Sequence, residues 1–177
     1  MSDEIILVNM NDDEIGCCEK MEAHRIPALH RAFSVFLYKR TGKKLYMMLQ
    51  KRAEGKYHSG GLWTNACCSH PRRGETLAEA VPRRMAEELG IVAEVTEEFS
   101  FTYFHRFSEN CAEFEFDHVF TGKWEGEVVP DPEEISEVSW MEFSDIEQRM
   151  MARPDSFSPW FLIAAPKVMA VLRNREQ

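Results

Sequence analysis

The stretch GETLAEAVPRRMAEELGI, residues 74–91, carries the strongest structural pattern in the chain. Successive residues of a helix are turned by about 100°, so Leu77, Val81 and Met85 fall on one face and form an apolar stripe. Gly90 follows these residues at the position where helices commonly end. The stretch therefore predicts an amphipathic helix that packs on the core through this stripe.

Two charged residues of this helix, predicted over residues 75–89, lie on its apolar side. A charged pair four residues apart is ordinarily an ion pair on a solvated face, and Arg83 and Glu87 fit that description. Arg84 and Glu88 instead fall beside the stripe. A charge on the core side is costly unless it is paired or bound to a ligand. We therefore expect Arg84 and Glu88 to have a functional role.

Strand and helix patterns continue on both sides of this helix. Pro82 inside the helix predicts a kink. Ser144 and Glu147 form a capping box for a second helix that ends near residue 152, and Ser158-Pro159 begins a third. Strands interleaved with three helices predict an α+β fold, in which helices cover a mixed sheet. The predicted strands cover residues 5–8, 32–38, 44–50, 99–107, 112–121 and 136–141, with a hairpin joining the fourth and fifth and a long loop over 51–74.

Length, charge and cysteine content limit the classes of protein. The 177 residues fit a single domain over 1–177. Lys and Arg number 21 and Asp and Glu 30, and the net charge of −9 argues against a nucleic acid or an anionic membrane as partner. No apolar run approaches about 18 residues, and the acidic start is unlike a targeting peptide, so we expect a cytoplasmic protein. Two adjacent pairs among five cysteines do not form a disulfide framework.

Acidic and aromatic residues alternate within the predicted hairpin. On a strand, Glu113, Glu115 and Asp117 share one face, and Phe114 and Phe116 share the other. If the phenylalanine face packs on the core, the acids are merely solvated. If the acidic face is buried, two carboxylates at this spacing are suited to hold a metal ion, or to serve as a ligand beside a proton-transfer group.

A second candidate site lies in the stretch WTNACCSHP, residues 63–71. Its adjacent cysteines followed by histidine do not have the spacing of a zinc finger. In an extended segment Cys68 and His70 share one face, and Cys67 points the other way. The stretch fits a structural cysteine beside a surface histidine, and it also fits a pair of site residues.

Further histidines and cations are scattered near these elements. His24 and His30 lie on a stretch near Pro27 that we predict to be irregular. Three histidines and two carboxylates together would make a mixed nitrogen and oxygen site for a divalent metal. On an acidic chain, several cations around one loop indicate an anionic substrate, with phosphate the obvious group. These cations are Lys20, Arg52, Lys56 and Arg84.

The motifs extend over nearly the whole chain. They are Glu19-Lys20 with His24 and His30, Gly61-Leu62-Trp63-Thr64-Asn65, Cys68-Ser69-His70-Pro71, Gly74-Glu75, residues 83–90, Glu113-Phe114-Glu115 and Phe157-Ser158-Pro159-Trp160. In these motifs the chain resembles the type 1 isopentenyl-diphosphate isomerases, which have a Nudix-like fold. It departs from that family in a shorter spacing from His24 to His30 and in the position of Pro82.

The helix also resembles the Nudix signature, G-x5-E-x7-R-E-U-x-E-E-x-G-U, where U is an apolar residue. Glu75 and Arg83 have the spacing of the signature. Ser69 stands where a Nudix hydrolase has glycine, and Arg84 stands where it has glutamate. That glutamate helps to hold catalytic magnesium, so its replacement argues against hydrolysis. Arginine at this position is what the isomerase family carries.

The resemblance implies a Nudix-like mixed β-sheet sandwiched by helices, with an N-terminal extension. It implies that the protein isomerises isopentenyl diphosphate to dimethylallyl diphosphate by protonation and deprotonation through a tertiary carbocation. Glu115 would protonate the alkene, and Cys68 on the opposite face would take the allylic proton as a thiolate, helped by a nearby metal and cations. Tyr103 would contact the glutamate, and Trp160 would face the carbocation.

The resemblance also implies the ligands. The substrate would be a small allylic or homoallylic diphosphate, bound by Lys20, Arg52, Lys56 and Arg84. A second ion, Mg2+, would bridge the diphosphate and Glu88. We expect a monomer or a weak homodimer. The first metal site, for Mn2+, Mg2+ or Zn2+, would comprise His24, His30, His70, Glu113 and Glu115.

Two alternatives remain open at this point. A Nudix-type diphosphate hydrolase would release phosphate from its substrates, but position 84 does not fit its signature. A non-enzymatic metal-binding module would use Cys67, Cys68 and the histidines, but it leaves Arg84 and Glu88 unexplained.

Overall fold

The computed structural model describes residues 4–176, so most of the acidic start lies outside the described residues. None of the helices in this range combines the length and the apolar content that a membrane crossing needs. The strands are β1 (Glu4–Val8), β2 (Glu14–Glu19), β3 (His30–Thr41), β4 (Lys44–Arg52), β5 (Trp63–Thr64), β6 (Cys67–Ser69), β7 (Thr96–Ser108), β8 (Cys111–Lys123) and β9 (Ile135–Glu142). The helices are α1 (Lys20–Arg25), α2 (Leu77–Leu89), α3 (Phe143–Ala152) and α4 (Pro159–Arg175).

The strands form one mixed sheet in which β3 has the central place. β3 pairs in parallel with β8 and antiparallel with β1, β4 and β6. β7 continues the sheet beyond β8, and β9 continues it beyond β4. The parallel pair of β3 and β8 matters for function, because it sets His30 directly opposite Glu115.

The side chains of β3 alternate between two apolar cores. Phe33, Val35 and Leu37 pack with α2 on one face of the sheet, and Phe36 and Tyr38 pack with α3 and α4 on the other. Burying an apolar side chain of this size contributes about 1.5–3 kcal/mol. Because both faces of β3 carry such side chains, helices pack against both faces of the sheet. The expected α+β architecture, a mixed sheet sandwiched by helices, is confirmed.

The strongest sequence patterns are confirmed as elements. The predicted strands and the hairpin are present, several of them longer than predicted, and the last helix begins at Pro159. Gly90 ends α2 with a φ of 68°, a left-handed conformation that favours glycine. Of the predicted apolar stripe, Val81 and Met85 are buried against the sheet, together with Leu89, and Leu77 packs partly buried against the same core. α2 continues through Pro82 from Leu77 to Leu89.

Other sequence-based expectations were wrong. β2 and α1 were missed, so His24 lies in a helix and His30 begins a strand rather than an irregular stretch. The short strands β5 and β6 were also missed, inside the stretch 51–74 that was expected to be one long loop. The described residues contain four α-helices and not three. The capping box of Ser144 and Glu147 is absent because α3 begins one residue earlier, at Phe143. The Glu147 carboxylate instead accepts two hydrogen bonds from Arg173, at 2.7 and 2.9 Å.

Candidate active site

A pocket lies between the centre of the sheet and the loop that follows β4. Its lining combines lysine and arginine side chains with carboxylates, a thiol and an indole. Tyr103, His24 and His30 do not line the pocket but contact residues that do. The sequence-predicted residues that line it are Lys20, Arg52, Lys56, Cys68, His70, Arg84, Glu88, Glu113, Glu115 and Trp160.

Three histidines and one carboxylate form a cluster that could hold a metal ion. His24, His30, His70 and Glu115 each offer one ligand atom, and these atoms all lie within 4.8 Å of one another. The members come from α1, β3, the segment after β6, and β8. The ring centres of the histidines are 4.9–5.7 Å apart. The fold thus gathers four of the five predicted ligands of the first metal site.

The chemistry of the cluster fits a divalent cation. Both ring nitrogens of His24 are buried, and among residues 4–176 neither has a hydrogen-bond partner. Burial, reinforced by the neighbouring histidines, lowers the pKa of His24 to about 2. Burial lowers the pKa of His70 to about 4, although Glu115 opposes the shift. Neutral imidazoles are the form that binds metal.

His30 and Glu115 are prepared for the same role. The carbonyl of Ala28 lies 2.8 Å from Nδ1 of His30, which leaves Nε2 directed toward Glu115 at 3.4 Å. A hydrogen bond at one ring nitrogen commonly selects the other as the ligand atom. Burial raises the pKa of the Glu115 carboxyl, but its contacts with His30 and His70 outweigh burial and hold this pKa well below its usual value.

Glu113, the fifth predicted ligand, lies beside the cluster and not within it. The Tyr103 hydroxyl oxygen is 2.6 Å from Oε2 of Glu113 and 2.7 Å from Oε2 of Glu115. Burial and the two carboxylates raise the pKa of Tyr103 well above its usual value, so the phenol keeps its proton. One proton thus serves two carboxyl groups. On the other side, Nε2 of His58 is 2.7 Å from Oε1 of Glu113.

The acidic face of the β8 hairpin is the buried one. Glu113, Glu115 and Asp117 are buried, and Phe114 and Phe116 are only half-buried on the opposite face. Of the two arrangements that the sequence left open, the structure has the one in which the carboxylates need partners. Asp117 finds one partner, because the Ser34 hydroxyl donates to it at 2.8 Å.

The two adjacent cysteines point in opposite directions, as the alternation predicts. Cys67 packs in the core beside α2, and Cys68 lines the pocket. Nη1 of Arg52 lies 3.9 Å from Sγ of Cys68. Burial raises the pKa of the Cys68 thiol, and the Arg52 charge offsets only part of this effect. The protein side chains alone therefore leave Cys68 as a neutral thiol, and the cations do not suffice to make it a thiolate.

The Trp160 indole is held in place at the pocket wall. Its Nε1 donates to Oδ1 of Asn65 at 3.1 Å. The Arg52 guanidinium lies 5.4 Å from the ring centre, so this ring already faces a cation. Sequence reasoning assigned no function to Asn65 or His58, because their roles depend on partners distant in the chain. For His58, the sequence offered only its position in the long loop predicted over 51–74.

The cations of the phosphate-binding group lie against carboxylates. Arg84 is 2.7 Å from Glu87, contacts Glu88 and is 3.4 Å from Glu134. Burial lowers the pKa of Arg84, but these carboxylates outweigh it and raise this pKa above its usual value. Lys56 contacts Glu134 as well. Glu134, between the two cations, is a further residue that sequence reasoning missed.

Comparison with known proteins places this site in a family. The family model of the NUDIX domain matches residues 28–161. The chain is 42% identical over 170 residues to Isopentenyl-diphosphate Delta-isomerase 2 of Aromatoleum aromaticum, covering 96% of this chain and 88% of the relative. It is 41% identical over 177 residues to Isopentenyl-diphosphate Delta-isomerase of Photobacterium profundum, covering 98% of this chain and 96% of the relative.

A solved structure gives independent support for the fold. The crystal structure of DR0079 from Deinococcus radiodurans superimposes with a TM-score of 0.66 at 22% identity, covering 84% of this chain and 89% of that one. A cluster of histidines and a carboxylate lies at the pocket. This site is consistent with the sequence identity to the two relatives, which extends over nearly the whole chain. The chain belongs to the Nudix family and, within it, to the isopentenyl-diphosphate Delta-isomerases.

Proposed function

We propose that this protein interconverts isopentenyl diphosphate and dimethylallyl diphosphate by moving one carbon–carbon double bond. The observation that carries the proposal is the pocket itself, in which a thiol and a carboxyl group stand in one cavity beside an indole and several cations. The curated relatives that bear the isomerase name match nearly the whole chain. Their names and this geometry point to the same reaction.

The reaction requires two proton transfers. A proton added to the terminal alkene carbon leaves a tertiary carbocation, and loss of a proton from the allylic CH2 forms the new double bond. We assign the first transfer to Glu115 and the second to Cys68, with the roles exchanged in the reverse direction. The neutral thiol of Cys68 is the form required to donate a proton in that reverse direction. In the forward direction Cys68 has to be a thiolate, whose sulfur takes the allylic proton while the electrons of the broken C–H bond form the new double bond at the carbocation centre. Arg52, whose Nη1 lies 3.9 Å from Sγ, together with bound metal ions would favour that form.

Tyr103 is positioned to relay protons to the carboxyl groups of Glu113 and Glu115. Its hydroxyl is within hydrogen-bond distance of both Glu113 and Glu115. A phenol has one proton, so it cannot donate a full hydrogen bond to both carboxylates at once. A proton held by either carboxyl group satisfies the arrangement. The contacts with His30 and His70 hold the pKa of Glu115 well below its usual value, so Glu115 would receive its proton through this network only as the reaction takes place and be replenished after each turnover.

The carbocation needs stabilisation without a nucleophile that could trap it. The face of Trp160 offers π-electron density, which is worth about 2 kcal/mol or more toward a desolvated cation. The buried pocket limits the entry of water, which would otherwise add to the cation. Asn65 fixes the edge of the indole, so the ring keeps this orientation during the reaction.

The diphosphate would be held by the cations at the other end of the pocket. The Nε atoms of Arg52 and Arg84 are buried without hydrogen-bond partners, which leaves both available as donors. Lys20 and Lys56 add two further charges. Binding the diphosphate here would orient the small apolar tail between Cys68 and Glu115.

Two metal sites would complete the arrangement. We propose Mn2+, Mg2+ or Zn2+ for His24, His30, His70 and Glu115, with Glu113 beside them, and Mg2+ with the diphosphate and Glu88. A divalent cation bound at these groups lowers the proton affinity of the adjacent carboxyl and neutralises phosphate charge. Burial raises the pKa of Glu88, in spite of Arg84, so a further cation there would favour the carboxylate.

Hydrolysis of a diphosphate fits the site less well. Arg84 occupies the position where the hydrolase signature has a magnesium-binding glutamate, and its side chain points toward Glu88. The helix therefore lacks one of the carboxylates with which the hydrolase signature holds its metal ion. A metal-binding module without catalysis would not explain why Cys68, Trp160 and Arg52 line one pocket.

Proton NMR in D2O tests the proposal. Purified protein with isopentenyl diphosphate and Mg2+ should yield dimethylallyl diphosphate with deuterium in the new methyl group. Cys68→Ala and Glu115→Gln should each reduce the rate by about 100-fold or more, as loss of a proton-transfer group does. Cys67→Ala is the matched control and should retain activity. Absence of isomerisation by folded, metal-loaded protein, or release of phosphate instead, would contradict the assignment.

A further inference from the structure

Glu134 lies at the phosphate-binding end of the pocket, immediately before β9. Its Oε2 contacts Nζ of Lys56, and its Oε1 is 3.4 Å from Nη2 of Arg84. These are two of the cations that the proposed function assigns to the diphosphate. A carboxylate of the protein therefore lies on the cations to which the proposed function assigns the phosphate oxygens.

The backbone around Glu134 is fixed. The carbonyl of Glu134 accepts from the amide of Ala53, and its amide donates to the carbonyl of Asp131, at 2.9 and 3.0 Å. Asp131 in turn donates from its amide to the carbonyl of Glu88, at 2.9 Å. Only the side chain of Glu134, which is 26% exposed, is therefore free to change its position when a ligand enters.

The charges require such a change. Burial raises the pKa of the Glu134 carboxyl, but Lys56 and Arg84 outweigh burial and lower it, so Glu134 is ionised at neutral pH. A bound diphosphate would lie beside this like charge, and like charges in contact oppose binding. Either the carboxylate leaves the cations, or the diphosphate binds them incompletely.

We propose that Glu134 is a built-in competitor of the diphosphate, which holds Lys56 and Arg84 in position in the free protein and exchanges them for phosphate oxygens when substrate binds. The inference rests on the proposed function, because that function places the diphosphate on these cations. It assigns Glu134 the role of setting the affinity of the site. A site without this carboxylate would bind substrate and product more tightly and release product more slowly.

The test measures binding of inorganic pyrophosphate by titration calorimetry, in the presence of Mg2+. Glu134→Gln has nearly the same shape and removes the charge. It should bind pyrophosphate about tenfold more tightly than the wild type. Glu133→Gln is the matched control, because Glu133 is the exposed neighbour and carries the same charge. It should bind pyrophosphate as the wild type does.

A double variant identifies the route of the effect. In Lys56→Gln the competitor has lost one of its two partners, so the gain from Glu134→Gln should shrink in that background. Equal or weaker binding by Glu134→Gln overturns the inference, since Glu134 would then only organise the cations. Circular dichroism and urea unfolding of each variant identify any that fail to fold, and Glu134→Ala serves as the second substitution.

Isomerisation measured on the same samples separates this inference from the proposed function. A wild type that isomerises, with a Glu134→Gln variant that binds pyrophosphate no more tightly, overturns the competitor role alone. A wild type that does not isomerise, with tighter pyrophosphate binding by the variant, overturns the isomerase and leaves the competitor role standing. In an active enzyme the Glu134→Gln variant should have a KM for isopentenyl diphosphate that is lower by about threefold or more, without a gain in kcat.

Discussion

The side-chain amide of Asn65 uses its whole hydrogen-bonding capacity. Its Nδ2 donates to the carbonyls of Val35 and Cys67, at 3.1 and 2.7 Å. Its Oδ1 accepts from Thr64 and Trp160, at 2.9 and 3.1 Å. All of these groups are buried. One residue thus joins the central strand, the cysteine-bearing strand and the indole at the pocket wall.

Asn65→Asp tests this role at the scale of one atom. The carboxylate keeps the size of the side chain but cannot donate, so two buried carbonyls lose their partner and face a negative charge. Each lost buried hydrogen bond costs about 1–3 kcal/mol, and we expect a fall of that order or larger in the free energy of unfolding in urea. Asn110→Asp in the exposed hairpin turn is the control. Equal stability of both variants would contradict the role of Asn65.

At the scale of the element, Pro82 is a residue that its helix tolerates at a cost. α2 continues through Pro82, which cannot donate a backbone hydrogen bond one turn back. Proline inside a helix costs up to about 3 kcal/mol relative to alanine. Arg84 and Glu88, which follow on the same helix, nevertheless reach the pocket. The cost is therefore one of stability and not of the direction of these side chains.

Pro82→Ala should raise the free energy of unfolding by about 1–3 kcal/mol. Urea unfolding at constant pH measures this change. KM for isopentenyl diphosphate should stay close to the wild-type value, because Arg84 keeps its place. Pro132→Ala in an exposed loop provides the control. A large change of KM with unchanged stability would show that Pro82 directs Arg84 into the site.

Elements with strong local patterns could be predicted, and elements that depend on their neighbours could not. β3 is a long apolar run, and the alternation in β8 is regular, so both were found from sequence. β2 is a half-exposed strand of six residues that exists through its pairing with β1. α1 has only six residues, too few to be stable in isolation. Tertiary contacts decide such elements.

At the scale of the whole molecule, the site combines residues from distant parts of the chain, from α1 near its start to α4 near its end. Sequence patterns singled out most of the candidate residues but left their roles open. The resemblance to a family supplied those roles and added Tyr103 and Trp160. Asp117 and the acidic face of β8 illustrate the limit, because the alternation allowed either face to be buried. His58 and Glu134 escaped notice for a related reason. Their partners, Glu113 and Lys56, lie more than fifty residues away in the chain.

Buried histidines make the stability of the metal-free protein depend on pH. The pKa of His24 is about 2 and that of His70 about 4 in the folded protein, against about 6.5 in an unfolded chain. Below pH 6.5 the unfolded chain therefore binds more protons, and stability falls as the pH falls. Each histidine contributes a slope of about 1.4 kcal/mol per pH unit. The buried carboxyls Asp117 and Glu88, whose pKa values are raised, oppose this slope.

A variant isolates the histidine contribution. After dialysis against a chelator, urea unfolding between pH 6.5 and 4.5 should show a flatter dependence in His24→Gln than in the wild type, by about 1 kcal/mol per pH unit. His105→Gln, outside the cluster, should keep the wild-type slope. Added divalent metal should stabilise the wild type and leave His24→Gln less affected. Identical slopes in all three proteins would mean that His24 is not held neutral by the fold.

The parallel ladder between β3 and β8 runs without a shift from His30 opposite Glu115 to Tyr38 opposite Lys123. An inserted or deleted residue within either strand would turn every following side chain to the other face of the sheet. A change between Cys111 and Glu115 would turn Glu115 away from the histidines and bring a phenylalanine to the pocket in its place. Changes of chain length can therefore accumulate in the connections, such as residues 26–29, where His24 and His30 meet despite a short spacing. Within β3 and β8, a substitution leaves the register of the site unchanged, whereas an insertion or a deletion disrupts it.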